Sequence, residues 1–571
     1  MSPDSAHRNG QLRSRWLSPP LLSLAVNLPL ALFGLADGSY DAYAHIFFAD
    51  HYRRWWFNLF EPRWFGGFSV ASYPPLTHQL IAALSFPFSA LAGLWGGAPS
   101  QIRYWGEAEA FRVLLLAVLV CFPLAAERFA AIFVPRRAAR TAGWLAVGLP
   151  GVYLAAYSFG QLPTLAATVA LLWALAEGYR FCTPTARRRR RHLASAVLWA
   201  GVTVALHHAV LLFAIGAGGA VALRALGQGR WRRQTLGAVA LWAAGSALAG
   251  VAVTWPFIAW SRGYTPQTPI DHLSRHNYLT SWMAVYYFFL PMYGLLLLAL
   301  PLMLARPKRR HAPLLGLSAL LFILGLGGTT PLPALLFGSN WAWLTYDRFS
   351  LWAGIALLPL AALAVDLYRP ALATPKTRPL WFAAQAGFCL FAAFAARLAH
   401  AQPPPVDLNA VADFLRGPAQ RGERFLTFGF GDQMARLSVL TDAATLDGTY
   451  FTARTIPEQR QSGLGALDGA LWNPAGVRAV VPVLPTAGDW GVRWAFVAHP
   501  AYESLLRQAG WEYDGLLTPG VQLWRNPGPV ATGRLSPAGH MPPNPVAAAW
   551  WGLAPLTTLI LAIVAARLAF L

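Results

Sequence analysis

The chain has 571 residues, 56% hydrophobic and only 12% charged, against about 25% charged in an ordinary soluble domain. Apolar runs this many and this long describe a polytopic membrane protein and exclude a soluble enzyme, a disordered scaffold and a single-span receptor. The formal charge of +21 comes from 45 Lys and Arg against 24 Asp and Glu; the basic residues sit in clusters between apolar runs, a topology signal that calls for no nucleic acid.

In chain order, Arg8, Arg13 and Arg15 precede a first apolar run at 17–36. A cleaved signal peptide is the competing reading, but no small-x-small site stands out. Further runs lie at 109–133, 142–159, 161–181, 235–260, 281–305, 312–328, 348–368, 380–400 and 546–570. The stretch 193–226 is too long for one span and reads as two short helices broken at His207 and His208. The stretch 75–98 is interrupted by Pro87, and is either a re-entrant hairpin or a segment whose boundary near 98–108 is misplaced.

The basic clusters orient these runs. Those at Arg136, Arg137 and Arg140, at 187–191, at Arg230, Arg232 and Arg233, at 306–310 and at 369–378 all fall in the cytoplasm with the N-terminus, provided 75–98 makes no net crossing. The result is an α-helical polytopic membrane protein with about 12–14 transmembrane helices. The outer face then carries 37–74, 158–163, His207 and His208, 261–280, 329–347 and the polar segment 401–544. Residues 1–400 form the transmembrane domain, 401–544 an extracytoplasmic α+β domain and 545–571 a final transmembrane helix.

The outer segment has 12 acidic and 11 basic residues and opens on a stiff proline linker at 403–405. It reads as strands at 425–430, 477–483 and 521–524 with a helix at 501–509. Cys121, Cys182 and Cys389 lie in or beside apolar runs, so this domain has no disulfide framework.

The first outer loop, ADGSYDAYAHIFFADHYRRWWFNLFEPRWFGGFSVASYPPLTH, is the most informative stretch. Of the 29 residues from Tyr40 to Phe68, 12 are aromatic, which suits an interfacial anchor helix. Its acidic residues and histidines exceed what an anchor needs. Asp41 and His45 are four apart and share a helix face, whereas Asp50 points to the opposite side. A carboxylate at the membrane exit of a span is costly and usually functional. Its burial calls for a compensating partner, and His45 is nearest in sequence; replacing Asp50 should be far milder.

Other polar residues interrupt apolar surroundings on the same face. Arg348 follows Tyr346 and Asp347 at the start of a span, where a snorkelling arginine is the alternative. Asp271, His272, Arg275 and His276 share the 261–280 loop, which also reads as a solvated loop. His207 and His208 break a span, and Gln161 opens another, where helix capping is the alternative. Asp432, Asp442, Asp447 and Tyr450 lie in a turn-rich stretch that reads as a surface loop or an acceptor contact. Glu127 and Glu177 lie near cytoplasmic helix ends. The arginine run at 187–191 is a topology signal and an anionic-lipid contact.

An outer Asp just after the first span, an aromatic loop and then YPPL at 73–76, in that order, resemble the GT-C glycosyltransferases. The pattern is most similar to the prokaryotic membrane proteins labelled 6-pyruvoyl-tetrahydropterin synthase-related. The matching residues are Asp41, His45, PRWFGG at 62–67, Tyr73 to Leu76, GQLPT at 160–164, His207, and Arg348 with Phe349. They cover 1–400 loosely and the outer domain by position alone; the loop carries no Asp-x-Asp or Glu-x-Asp pair.

The resemblance implies inverting transfer of a sugar from a polyprenyl-phosphate carrier to a glycan, lipid or protein acceptor, at the outer face of a bacterial or archaeal cytoplasmic membrane. Asp41, with His45 beside it, would act as general base. Arg348, Arg275 and His207 would bind the donor phosphate, and Tyr73, Gln161 and His276 would line the substrate cavity. If a divalent ion, Mg or Mn, takes part, Asp41 and His45 would hold it. Two other classes compete: a lipid or glycolipid transporter, which needs polar groups reachable from both sides, and a non-catalytic assembly factor displaying 401–544.

Overall fold

A computed structural model describes residues 18–183, 188–227, 232–263, 266–304, 308–372, 377–531, 535 and 544–570. The readings placed on Arg8, Arg13, Arg15, Arg187, Arg230 and Arg306 lie outside these residues.

Helix α1 (Pro19–Leu32) begins on two prolines, whose missing N–H groups cost nothing in a first turn. After a short loop, α2 (Ala42–Trp55) starts at Asp41. Its Ile46, Phe47, Phe48 and Tyr52 are buried, so the aromatic loop is core rather than an interfacial anchor. Strands β1 (Phe60–Glu61) and β2 (Phe68–Ser69) pair antiparallel and carry PRWFGG at their tip. Phe65, Gly66 and Gly67 there all have positive φ, and a Cβ on Gly67 would lie 2.3 Å from the Phe60 ring.

Helix α3 (Leu76–Gly93) runs through Pro87 as one helix, not as a re-entrant hairpin. Helix α4 (Pro99–Phe133) starts ten residues before the apolar run that announced it. Its first turn touches the C-terminal domain, through Gln101 to Asn409 (3.1 Å) and Arg416 to Ser100 (2.8 Å). Just ahead of α3, the Ser72 carbonyl accepts a hydrogen bond from the Tyr450 hydroxyl of the same domain. Both ends of α3 thus face that domain, and the segment makes no net crossing of the helical body.

Helix α5 (Arg136–Val147) leads through one turn (Pro150–Tyr153) into a π-helical turn (Leu154–Ser158). Then come α6 (Leu162–Cys182), α7 (Arg189–Leu206) and α8 (Leu211–Leu226), the last two separated at His207 and His208 as expected. Helix α9 (Arg232–Arg262) kinks at Thr254, beside Pro256. Proline leaves the carbonyl four residues earlier without its helical donor, and here the Trp550 indole donates to that Ala252 oxygen at 2.7 Å. The apolar run 281–305 is three short pieces, Trp282–Phe288, Leu290–Tyr293 and Leu296–Leu304. Helices α10 (Ala312–Gly325), α11 (Asp347–Leu372) and α12 (Thr377–Leu398) complete this part.

The polar domain follows: α13 (Leu408–Leu415), β3 (Arg424–Phe428), α14 (Gln433–Leu440), β4 (Val492–Val497), α15 (Glu503–Gln508), β5 (Glu512–Thr518) and β6 (Val521–Arg525). The sheet order is β3-β4-β6-β5, with β3 and β4 parallel and the other pairs antiparallel. It has a core on each face, one around Leu408, Val411, Met434 and Leu437, the other around Ile456, Val483, Trp490 and Tyr502. The expected strand at 477–483 is a helical turn (Val477–Val480) followed by turns. Pro482 lies in its middle and cannot donate to a ladder.

Helix α16 (Pro545–Phe570) returns to the helical body. Trp551 donates to the Tyr52 hydroxyl at 3.0 Å, and Gln79 donates to the Trp551 carbonyl at 2.8 Å. Among the described residues, seven helices are long and apolar enough to cross a membrane: α4, α6, α8, α9, α11, α12 and α16. The other expected runs are helical but shorter or interrupted. The protein is therefore an α-helical polytopic membrane protein with a small α+β domain near its C-terminus.

Candidate functional site

The position of Asp41 is fixed by the segment that opens α6. Its backbone N–H donates to the Phe159 carbonyl at 3.0 Å, and the Tyr40 N–H donates to the Ser158 carbonyl at 3.2 Å. Those carbonyls lie at the end of the π-helical turn, a feature common at functional sites. Gly160 follows with φ of 71°, and a Cβ there would stand 2.5 Å from Ser39 Oγ and 3.0 Å from the Asp41 nitrogen. Only glycine allows the two segments to approach so closely.

The start of α11 supplies the charges around it. Asp347 is 2% exposed; its Oδ2 accepts from Gln161 Nε2 at 2.8 Å, and its Oδ1 has no hydrogen-bond partner among the described residues. Arg348 Nη1 donates to Thr345 Oγ1 at 2.8 Å, while its buried Nε has no such partner among the described residues. Desolvation raises the Asp41 carboxyl to about 6; Arg348 opposes that rise and Asp347 adds to it. Two acids and one guanidinium thus converge from two separated segments.

A histidine and tyrosine group flanks them. The Tyr73 ring lies 6.1 Å from His45, 5.1 Å from His78 and 5.6 Å from His207, centroid to centroid. His45 Nδ1 is 3.1 Å from His78 Nε2. Burial, and then the charge of Arg348, lower the His45 pKa to about 3. His45 is therefore a neutral imidazole turned to His78. The expectation that it compensates Asp41 is corrected: the cation acting on Asp41 is Arg348. His45 Nε2, His78 Nδ1 and His207 Nδ1 are buried without a hydrogen-bond partner among the described residues.

The sheet domain contributes as well. Asp432, read from sequence as part of a surface loop or an acceptor contact, precedes α14 and bonds with Gln402. Desolvation pushes its carboxyl to about 7, against the Gln402 hydrogen bond and with the added repulsion of Asp41. The Tyr450 ring is 5.2 Å from that of Tyr73. His272 joins from the 266–281 loop; desolvation lowers it to about 4, with Asp347 acting against that and Arg275 and Arg348 with it.

Of the residues expected at the site, Asp41, Arg348, Tyr73, His207, His45 and Gln161 are brought together. Arg275 reaches this group only by its charge, which acts on His272. Arg275 donates to the Leu344 carbonyl at 3.1 Å and to the Ile270 carbonyl, fastening two loops. His276 pairs with exposed Asp271 at 3.0 Å.

Asp50 does point away from Asp41, but it is fully buried. It binds Arg63 Nη1 and Arg103 Nε, each at 2.5 Å, with Glu61 and His51 completing the network. The expectation that its replacement is mild is corrected on that ground. Among the described residues, no three His, Cys, Asp or Glu side chains come together as a metal-ligand set.

The sequence reading named Asp347, His272 and Asp432 without assigning them to the site, and it did not single out His78. A stronger weight on acidic residues beside an apolar run would have assigned Asp347 to the site; the others depend on contacts between distant segments.

No family model matches the chain, and comparison with curated proteins finds no match, so the narrower likeness to the 6-pyruvoyl-tetrahydropterin synthase-related proteins has no support. Among solved structures, the chain is similar to ArnT from Cupriavidus metallidurans bound to undecaprenyl phosphate, with 14% identity over 88% of this chain and 97% of that one and a TM-score of 0.50. The apo state of the same protein gives 15% identity, the same coverage and a TM-score of 0.50. The archaeal oligosaccharyltransferase AglB from Archaeoglobus fulgidus, in complex with an inhibitory peptide and a dolichol-phosphate, gives 14% identity over 84% of this chain and 69% of that one, with a TM-score of 0.47. The fold of this chain is thus similar to that of ArnT.

Proposed function

We propose that this protein is a membrane glycosyltransferase that moves a sugar from a polyprenyl-phosphate carrier to an acceptor, at the membrane face where the sheet domain sits. The observation that carries this reading is that buried Asp41 feels the charge of Arg348 from one side and acts on Asp432 of the sheet domain on the other. Transfer from a lipid phosphate needs a base for the acceptor and a cation for the leaving group, close together. The fold shared with ArnT, a protein solved with undecaprenyl phosphate, supports a lipid-phosphate donor. The basic residues Arg136 and Arg140 lie at the other end of the helical body, which supports an outward-facing site.

In this reading, ionised Asp41 takes the proton of the acceptor hydroxyl. The oxygen attacks the anomeric carbon as the carbon–oxygen bond to the phosphate breaks, and the single displacement inverts that centre. Polyprenyl phosphate leaves with the bonding electrons, its charge met by the Arg348 guanidinium, a fork suited to phosphate oxygens. Gln161 holds Asp347, and Asp347 adjusts the field at Asp41. The neutral imidazoles of His45, His78 and His207, each with one nitrogen free to donate or accept, suit sugar hydroxyls.

The test is transfer by the purified full chain, using polyprenyl phospho-sugars of several kinds and Asp41→Asn. Loss of a general base costs about 10²–10⁴-fold in rate; Asp41→Asn should lose at least roughly 10²-fold while still binding polyprenyl phosphate. Transfer at near the wild-type rate would remove Asp41 from the mechanism. Binding with no transfer by the wild type, with any donor, would favour the transporter. Assays with Mg, Mn or a chelator decide whether a metal takes part.

A further inference from the structure

Helix α6 has polar residues at both ends. Gln161, at its start, belongs to the Asp41 site. Arg180, in its last turn, lies roughly 28 Å further along at 1.5 Å per residue, close to the roughly 30 Å thickness of a hydrocarbon core. Beside Arg180 is a cavity of about 340 Å³, whose charged lining is Arg128, Arg136, Arg140 and Arg180 with Glu127. Three elements build it: the last third of α4, the start of α5 and the end of α6.

Two of the four guanidiniums are positioned from behind. Glu177 is fully buried and lies 2.8 Å from Arg180 Nη1, 3.9 Å from Arg128 Nη1 and 2.6 Å from His192 Nδ1. Arg128 also lies 4.0 Å over the Trp173 ring. The other two, Arg136 and Arg140, are one helical turn apart on α5 and exposed. Arg137, between them in sequence, turns instead to Asp366 at 3.7 Å. A cluster that serves topology alone needs neither a cavity nor a buried carboxylate arranging its arginines.

The charge of the lining selects an anion, and guanidinium forks match phosphate oxygens. The apolar members of the lining select its source. Leu124, 41% exposed, and Ala131 extend the cavity rim along α4, which suits a phosphate carrying acyl chains better than a free ion. The location at a membrane boundary puts phospholipid headgroups within reach.

We propose that this cavity binds the phosphate of an anionic phospholipid headgroup, at the membrane boundary opposite the Asp41 site. The test uses the full chain in neutral detergent, with native mass spectrometry of phosphatidylglycerol and phosphatidylcholine adducts and a thermal-shift titration with inorganic phosphate. Wild type should prefer phosphatidylglycerol by about tenfold or more, the scale of two cation contacts. Arg136→Gln with Arg140→Gln should remove most of that preference, and Arg137→Gln should keep it. Equal affinity for the two lipids, or a preference unchanged in the double variant, would overturn the proposal. Inorganic phosphate binding as tightly as phosphatidylglycerol, with the same dependence on Arg136 and Arg140, would assign the cavity to a soluble phosphate and overturn the lipid.

Discussion

A carboxyl with a pKa of about 6 is mostly ionised at neutral pH and mostly protonated at pH 5. If Asp41 is the base, kcat/KM should fall as pH drops through about 6, since the protonated acid cannot accept a proton. Two substitutions should move this limb in opposite directions. Arg348 lowers the Asp41 pKa and Asp347 raises it. Arg348→Gln should therefore shift the limb to higher pH, and Asp347→Asn to lower pH, both read from pH–rate profiles on the residual activity. A limb that stays in place in both variants would detach it from Asp41. Asp50 behaves differently. Asp50→Asn leaves Arg63 and Arg103 without their shared carboxylate in a buried place, which by analogy with broken buried ion pairs costs about 3–5 kcal/mol. The expected result is a large drop in thermal midpoint or in folded yield, visible by fluorescence-detected size exclusion. The sequence distinguished the directions of Asp41 and Asp50 through helix periodicity. It could not distinguish a site carboxylate from an ion-network carboxylate, because Arg103 comes from another helix.

At the scale of elements, the segment 158–161 does more than connect. The positive φ of Gly160 and its contact with Ser39 tie the start of α6 to the Asp41 loop. Gly160→Ala should strain this junction by about 1–3 kcal/mol. We expect the variant to fold with a modestly lower thermal midpoint, and to lose transfer disproportionately, through kcat more than KM, as Asp41 is displaced. Proportionate loss of folded protein and of activity would make Gly160 purely structural. Most helices were legible from apolar runs, and the break at His207 and His208 was legible because two polar residues interrupt a run too long for one span. The strands were less so. Val492–Val497 alternates poorly because it packs on both faces, whereas the apolar 477–483 looked strand-like until Pro482 denied it a ladder. For α3, Pro87 suggested a break, but the helix absorbs it.

For the whole molecule, the sheet domain is seated on the PRWFGG loop at 62–67 rather than tethered above it. Thr445 N–H donates to the Arg63 carbonyl at 2.7 Å, Trp64 to Ser438 Oγ at 2.8 Å and Thr455 to the Phe65 carbonyl at 2.6 Å. A Cβ on Gly448 would stand 2.6 Å from Phe65. Gly448→Val should therefore lift the domain from PRWFGG, an overpacking effect worth about 1–3 kcal/mol. Limited proteolysis should then cut sooner at the 399–407 linker while the helical core stays resistant. An unchanged digestion pattern would show that the seat adapts. The sequence placed this domain beside the outer loop only by topology; that it brings Asp432 and Tyr450 to the site depends on contacts no local pattern encodes.

The position of α16 has a consequence in time. This helix follows the sheet domain in the chain, yet its Trp551 meets Tyr52 and Gln79 near the chain's beginning. The 146 residues from 399 to 544 separate it from α12. At synthesis rates of roughly 5–20 residues per second, they take on the order of 7–30 s to emerge. During that interval the buried aromatic faces of α2 and α3 lack one of their walls. The nascent protein must wait, half-walled, for a late arrival, and it is in that window, more than in the finished protein, that its folding is most exposed to failure.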